Sequence, residues 1–176
     1  MSLLKVDDIQ TTGGTPNRGH IIQVVSTTYT ENFSASISGM SWTEVPGLTT
    51  IITPSSSNSK ILISVTIGGI ESSGLNQRMG MALRKNSTNI AVNTTSGAQT
   101  PATWAGSGTN SNDIRNQAFF THLDSPATTS AVTYRVMITT EGSYTMFINR
   151  SNSNANSSSV FKTASSMTLY LSLIHI

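Results

Sequence analysis

Residues 60–67 read Lys-Ile-Leu-Ile-Ser-Val-Thr-Ile, and β-branched apolar side chains occupy every second position. The residues on that face are Ile61, Ile63, Val65 and Ile67. A period of two residues is typical of a β-strand with one buried face. The segment therefore predicts a strand whose isoleucine and valine face lies in a core. Gly68-Gly69 follows directly and predicts the end of this strand.

A second stretch, residues 130–140, repeats the pattern with Val132, Tyr134, Val136 and Ile138 on one face. It is followed by Glu141-Gly142-Ser143 and then by a further alternating run that contains Tyr144, Met146 and Ile148. A three-residue loop with a central glycine between alternating runs predicts a β-hairpin.

Shorter strand-like segments fill most of the remaining chain, and Pro46-Gly47 and Pro54 predict turns between them. These segments are residues 20–26, 33–37, 42–45, 48–53, 77–84, 90–92, 118–123 and 167–171. Residues 75–83 also fit a helix, because Leu75, Met79 and Leu83 recur every four residues, but Gly80 costs a helix about 1 kcal/mol. Eight to ten short strands predict an all-β fold, an antiparallel jelly-roll-like β-sandwich.

The composition excludes several protein classes. The chain of 176 residues has one domain's length, with only 10 basic and 8 acidic residues, while 28 Ser, 26 Thr and 14 Asn supply neutral polarity. Scattered cations exclude a nucleic-acid-binding stripe, and the longest apolar run, residues 61–70, is too short for membrane insertion. The absence of cysteine excludes a thiol nucleophile, a disulfide framework and a Cys-based zinc site.

The ionisable residues offer weak support for catalysis. His122 and Asp124 share a predicted strand face, and a structural pairing is the stronger interpretation of two such neighbours. A glycosidase needs two facing carboxylates, and the candidates are scattered: Glu31, Glu44, Glu71, Asp113, Asp124 and Glu141. Asn110, Asn112 and Asp113 could ligate calcium but are also ordinary turn residues. We therefore expect no enzyme, no metal and no cofactor.

Two polar segments are candidate binding loops. Residues 93–115 are rich in Thr, Gly, Asn and Ser, with Trp104 near the centre. Trp104 has two interpretations: a rigid aromatic contact for a ligand, or a ring folded back onto the domain or a subunit interface. Residues 150–159 (RSNSNANSSS) form the second, low-complexity segment. Trp42 is flanked by strand residues and is expected in the core.

The ends of the chain differ from residues 20–170, which we expect to form the sandwich. Residues 1–19 contain many turn formers and predict a short extended N-terminal arm. Residues 171–176 (LSLIHI) are apolar, and one of the codon sets that specify this peptide, CTG TCT CTT ATA CAC ATC, matches a transposon-end adaptor used in sequencing libraries. We therefore expect an adaptor-encoded tail that replaces the native C-terminus, or else the end of an ordinary last strand. A genomic read that encodes LSLIHI would exclude the adaptor.

Several segments resemble virion proteins of marine bacteriophages. Residues 2–14 (SLLKVDDIQTTGG) are similar to the start of many tail-fibre proteins. Residues 42–48 (WTEVPGL), 52–54 (ITP), 59–63 (SKILI) and 82–86 (ALRKN) are similar to their C-terminal head domains. Those heads typically close with a strand that ends in Met-Glu-Ile, which LSLIHI replaces here.

The resemblance implies a homotrimeric β-sandwich head, located in the virion, that binds a host-surface saccharide or protein without catalysis. The arm would dock to other tail or capsid proteins through its apolar residues, Leu3, Leu4, Val6 and Ile9. Receptor contacts are expected in the two polar loops, at Trp104, Asn110, Asn112, Asp113, Arg115, Arg150, Asn152 and Asn154. The particle would be assembled in the host cytoplasm.

Two other functions fit the same sequence. One is a capsid decoration, head-fibre or baseplate component whose loops bind another virion protein and no host ligand. The other is a depolymerase that cleaves surface glycans. Labelling of particles separates the first from a fibre head, and a sugar-release assay tests the second.

Overall fold

The computed structural model describes residues 21–95, 97–109, 114 and 116–172. Within these residues the chain forms eleven strands and no helix, which confirms the all-β prediction. The strands are β1 (Ile21–Tyr29), β2 (Phe33–Ile37), β3 (Thr43–Ile52), β4 (Lys60–Ser72), β5 (Arg78–Lys85), β6 (Thr88–Ile90), β7 (Trp104–Ser107), β8 (Asn116–Asp124), β9 (Val132–Thr140), β10 (Tyr144–Ile148) and β11 (Ser165–Ser172).

The strands form two antiparallel sheets. The first has the order β1-β11-β4-β10-β2, with β8 also paired to β4, and the second has the order β3-β9-β5-β6, with β7 also paired to β5. The inner faces of both sheets contribute to one hydrophobic core. This arrangement is the sandwich that the strand pattern predicts.

β4 lies at the centre of the first sheet, and its alternation is as predicted. Ile61, Ile63 and Val65 are completely buried. The predicted end at Gly68-Gly69 is wrong, because β4 continues to Ser72. A Cβ at Gly68 would collide with the carbonyl oxygen of Ala164, so glycine here admits a neighbouring chain segment and does not end the strand.

The turn predicted at Pro46-Gly47 is also wrong, because both residues lie inside β3. β3 is at the edge of the second sheet, and its register on β9 shifts between Glu44 and Thr49. Proline is tolerated at such irregularities in edge strands. Gly47 is required by packing, since a Cβ there would collide with the ring of Tyr29.

The connection at residues 141–143 is not a hairpin, contrary to the prediction. β9 belongs to the second sheet and β10 to the first, so the chain crosses between sheets here. The Thr140 hydroxyl donates a 2.6 Å hydrogen bond to the Gly142 carbonyl, and the Arg78 N–H donates one of 2.8 Å to the Glu141 carboxylate. These bonds stabilise the crossing.

The ambiguous segment at residues 75–83 is a strand over most of its length. β5 pairs with β9 on one side, and a turn with Asn86 in the left-handed region leads to β6. The strand interpretation is therefore confirmed and the helix is wrong.

Two further expectations concern Trp42 and the C-terminal residues. Trp42 is half-buried and lies outside the core cluster. Its ring lies near Gly80, since a Cβ at Gly80 would be 3.8 Å from Cη2 of Trp42. Gly80 faces away from the core, so the core placement of Trp42 is wrong. At the C-terminus, Leu171 is buried and pairs with Ile61, so Leu171 and Ser172 belong to β11, and residues 173–176 lie outside the described part.

Candidate functional site

The second polar loop spans residues 149–164 and connects β10 to β11. Its first residue, Asn149, is completely buried in the left-handed region, which asparagine tolerates well. The Asn149 amide donates to the carbonyls of Tyr29 at 2.8 Å and Glu31 at 3.1 Å, and accepts a 2.6 Å bond from the Ser165 hydroxyl. The base of the loop is therefore held by the domain itself.

Arg150, a predicted receptor contact, bonds within this loop. Its Nε donates to the Ser151 carbonyl at 2.9 Å and its Nη2 to the Asn152 carbonyl at 2.8 Å. The guanidinium carbon also lies 4.7 Å from the centre of the Phe147 ring, a cation–π contact. Burial lowers the pKa of Arg150. These contacts give Arg150 a structural role, and its contact with a receptor stays a prediction.

The tip of the loop exposes neutral polar groups beside one cation. Asn154 is exposed, in the left-handed region, and its Oδ1 accepts a 2.6 Å hydrogen bond from Nζ of Lys162. Asn152 is half-buried. The hydrogen bond between Lys162 and Asn154 crosses the loop and joins its two sides.

Phe161 is the most exposed large apolar side chain of the described residues, at 78%. It lies in the same loop, just past the low-complexity segment, and is not among the predicted receptor contacts. The sequence could have indicated Phe161, because it is an aromatic residue near a Ser- and Asn-rich segment. The same criterion indicated Trp104.

Trp104 is half-buried at the start of β7 and packs against the core cluster. It pairs with Met81, and a Cβ at Gly106 would collide with its ring. The ring therefore lies against its own domain. The long loop predicted for residues 93–115 is interrupted by this short strand, and the receptor role of Trp104 stays a prediction.

The remaining predicted receptor residues, Asn110, Asn112, Asp113 and Arg115, lie outside the described residues, as do the arm residues Leu3, Leu4, Val6 and Ile9. Thr109 is described, and its N–H and hydroxyl each donate a 2.7 Å bond to the buried carboxylate of Glu71.

Two connecting segments of the chain meet over β4. A Cβ at Gly69 would lie 2.8 Å from Oγ1 of Thr163 and 2.9 Å from Cδ1 of Ile114. Ile114 lies in the predicted loop 93–115, and Thr163 lies in the connection 149–164, past the predicted segment 150–159. Glycine at position 69 therefore leaves room for both residues to approach β4, which the sequence could not show.

A separate cleft of about 380 Å³ lies on the outer side of the second sheet, and residues from the first part of the predicted loop 93–115 line it. Gly80 and Thr139 line it, and the ion pair of Arg78 and Glu141, 2.7 Å long, lies at the same cleft. The other lining residues are Met40, Met79, Ala98, Gln99, Thr100, Ala102, Ala105 and Thr140. Such a volume is at the small end of the range for ligand sites.

Most of the described candidate carboxylates have structural partners. Asp124 accepts hydrogen bonds from the Tyr134 hydroxyl at 2.6 Å and from Nζ of Lys85 at 3.0 Å. Glu44 accepts a 2.6 Å bond from the Thr49 hydroxyl and lies 3.3 Å from Nε of Arg135.

Glu141 is the other carboxylate with a cationic partner. The backbone N–H of Arg78 bonds to the Glu141 carboxylate and, with the Arg78 charge, lowers the pKa of Glu141. These contacts fix the positions of Asp124, Glu44 and Glu141 through groups of the fold itself.

Across the described part of the chain, no group of three His, Cys, Asp or Glu residues is arranged to hold a metal ion. Nor does this part contain a helix long and apolar enough to cross a membrane. No protein-family model matches the sequence, and a search of curated proteins finds no similar chain.

Proposed function

We propose that this chain is a non-catalytic structural protein of a bacteriophage virion, the head of a tail fibre that binds a host-surface saccharide or protein during attachment. The observation that carries the proposal is the Phe161 ring, 78% exposed on a loop whose base is anchored by Asn149. The segments that resemble phage fibre proteins support the virion assignment.

An exposed ring on an anchored loop favours binding for two reasons. Burial of a phenylalanine ring against a ligand contributes about 1.5–3 kcal/mol from the hydrophobic effect. Because the Asn149 and Lys162 bonds already order the loop, less conformational entropy is lost when a ligand binds. Neutral Ser and Asn groups of the same loop supply hydrogen bonds, as they do in antibody binding loops.

A binding role without catalysis also agrees with the contacts of the acidic residues. Asp124, Glu44 and Glu71 accept hydrogen bonds from groups of the fold itself. A glycosidase instead needs two carboxylates that face one substrate.

The proposed assembly has two kinds of partner besides the receptor. Copies of this chain form a homotrimer, and the N-terminal arm docks to other tail or capsid proteins. The head thus lies at the outer end of the fibre, where loop 149–164 can reach the host surface.

The test is binding of labelled protein to a panel of marine bacteria and to their extracted surface polysaccharides. We expect Phe161→Ala to weaken binding at least about tenfold, which corresponds to about 1.4 kcal/mol. Leu75→Ala is the matched control, since Leu75 is another large side chain, 61% exposed, in a different connection. Equal binding by wild type and Phe161→Ala would contradict the proposed site.

Immunogold labelling of particles locates the protein. Label at the fibre tips supports the proposal. Label on the capsid or baseplate would assign the chain to the alternative, a decoration, head-fibre or baseplate component.

A further inference from the structure

The outer face of the first sheet forms a regular grid of side chains. Strands β1, β11, β4 and β8 lie side by side, and their registers align three rows of outward residues. The first row is Val24, Tyr170, Leu62 and Leu123; the second is Ser26, Thr168, Ser64 and Thr121; the third is Thr28, Ser166, Thr66 and Phe119. We call these twelve residues the neutral face.

The neutral face exposes large apolar side chains to solvent. Val24, Leu62 and Leu123 lie in the first row and are 54%, 41% and 55% exposed. Phe119, 69% exposed, lies in the third row, beyond the row of hydroxyls. Contiguous exposed apolar side chains with polar neighbours mark interaction surfaces. Polar groups here are hydroxyls, and Ser26 and Thr168 share a 2.9 Å hydrogen bond.

None of the twelve side chains of the neutral face carries a charge. The outer face of the second sheet differs sharply. There Arg84 and Arg135 lie directly opposite each other in β5 and β9, and Arg135 pairs with Glu44. The two outer faces of one sandwich therefore have different surface chemistry, and only one of them has charged residues in the middle of the sheet.

A face without charge suits contact with a copy of itself. When identical faces meet around a symmetry axis, a charged residue near the axis approaches its own copies, and one farther away is buried without a partner unless an opposite charge faces it. Both situations cost free energy. Hydroxyls avoid this cost, because each one can both donate and accept a hydrogen bond. The hydroxyl row and the apolar rows of one copy can therefore face those of another.

The area sets the strength of this contact. Strands about 4.8 Å apart and residues about 3.3 Å apart give a grid of about 400 Å² per copy. This is about half of the roughly 800 Å² per partner that a standard specific interface buries, so it is in the range of weak, transient contacts. The association through this face is therefore expected to depend on protein concentration.

We infer that the neutral face is the surface through which copies of this chain associate. The inference rests on the self-association of the proposed homotrimer and names the surface that forms it. It is independent of receptor binding. It names the contact: the neutral faces of the three copies meet around the threefold axis, with Thr168 and Ser64 near the centre.

The test uses the full chain with charges placed in the middle row. Thr168→Glu and Thr168→Lys are the main variants, and Thr121→Glu repeats the change on the exposed edge strand β8. Thr133→Glu is the control, because Thr133 has a similar outward position on β9 in the second sheet. Circular dichroism checks folding, and light scattering measures mass as a function of concentration.

We expect wild type and Thr133→Glu to reach three chains per particle at high concentration. Each single charged variant of the neutral face should associate at least tenfold more weakly. An equal mixture of Thr168→Glu and Thr168→Lys should regain association, since opposite charges then meet.

Three results would overturn the inference: a wild-type mass that stays at one chain up to about 1 mM, a Thr121→Glu variant that associates like wild type, or a mixture that regains nothing. A monomeric wild type whose residues 1–20 become protease-sensitive in Thr168→Glu would show that the arm covers this face. Phe161→Ala should leave the mass unchanged, which separates this test from that of receptor binding.

Discussion

The hydroxyl of Tyr134 donates a 2.6 Å hydrogen bond to Oδ2 of Asp124 and so joins the two sheets of the sandwich. Tyr134 is completely buried on β9, and Asp124 ends β8. Lys85 of β5 binds the other oxygen of the same carboxylate at 3.0 Å. One carboxylate thus satisfies a buried hydroxyl and an ammonium group from the opposite sheet.

Removal of this carboxylate should destabilise the fold. Asp124→Ala leaves the Tyr134 hydroxyl and the Lys85 ammonium without their acceptor, and we expect a loss of about 2–4 kcal/mol in the free energy of unfolding. Tyr134→Phe should cost about 1–2 kcal/mol. Urea unfolding measures both, with the exposed Glu31→Ala as control.

The same variant tests catalysis. We expect no release of sugar from host polysaccharide by wild type or by Asp124→Ala. Sugar release by wild type that disappears in the variant would contradict the non-catalytic proposal.

Tyr134 should make the fold sensitive to alkaline pH. Burial, with the hydrogen bond to Asp124, raises the pKa of Tyr134 above its ordinary value. The unfolded chain ionises this phenol above about pH 10 while the folded chain keeps the proton, so this stability is present below pH 10 and is lost as pH rises. From about pH 10 to 11, wild type should lose about 1 kcal/mol more than Tyr134→Phe. Urea unfolding at each pH checks this, and parallel losses in both proteins would contradict it.

Gly69→Ala should disturb the junction of the two loops. A Cβ at this position is too close to Thr163 and Ile114, so we expect a loss of about 1–3 kcal/mol. Gly39→Ala is the matched control, because its nearest neighbour would be at an ordinary 3.5 Å, and it should change stability by less than about 1 kcal/mol. Thermal unfolding compares them, and equal stability of the two variants would contradict the expected clash.

The two loop aromatics should behave differently. Trp104→Ala removes a ring packed against the core and should cost about 2–4 kcal/mol of stability. Phe161→Ala removes an exposed ring and should change stability by less than about 0.5 kcal/mol. Urea unfolding gives both values, and the reverse order would contradict the placement of these rings.

Part of the candidate site could be predicted from the sequence. The Ser- and Asn-rich composition correctly indicated a loop at residues 150–159. It could not show that Arg150 bonds to carbonyls of its own loop or that the Phe161 ring is exposed. Both depend on how the backbone of the loop folds, which composition does not define.

The neutral face could also be predicted only in part from the sequence. The sequence shows that Leu62, Ser64 and Thr66 face away from the core of β4. Only the pairing of β4 with β11 and β8 aligns these residues with their neighbours in uncharged rows.

The sequence by itself determined the all-β class and the inward residues of the main strands, because alternation is a local property of the backbone. The tertiary structure decided whether each glycine or proline lies within a strand or in a connection between strands. Gly68-Gly69 and Pro46-Gly47 lie within strands because neighbouring segments pack closely there, and Gly142 lies at a crossing between sheets. A glycine permits a turn, a bulge or a close contact equally well, and only the neighbours in space select among them.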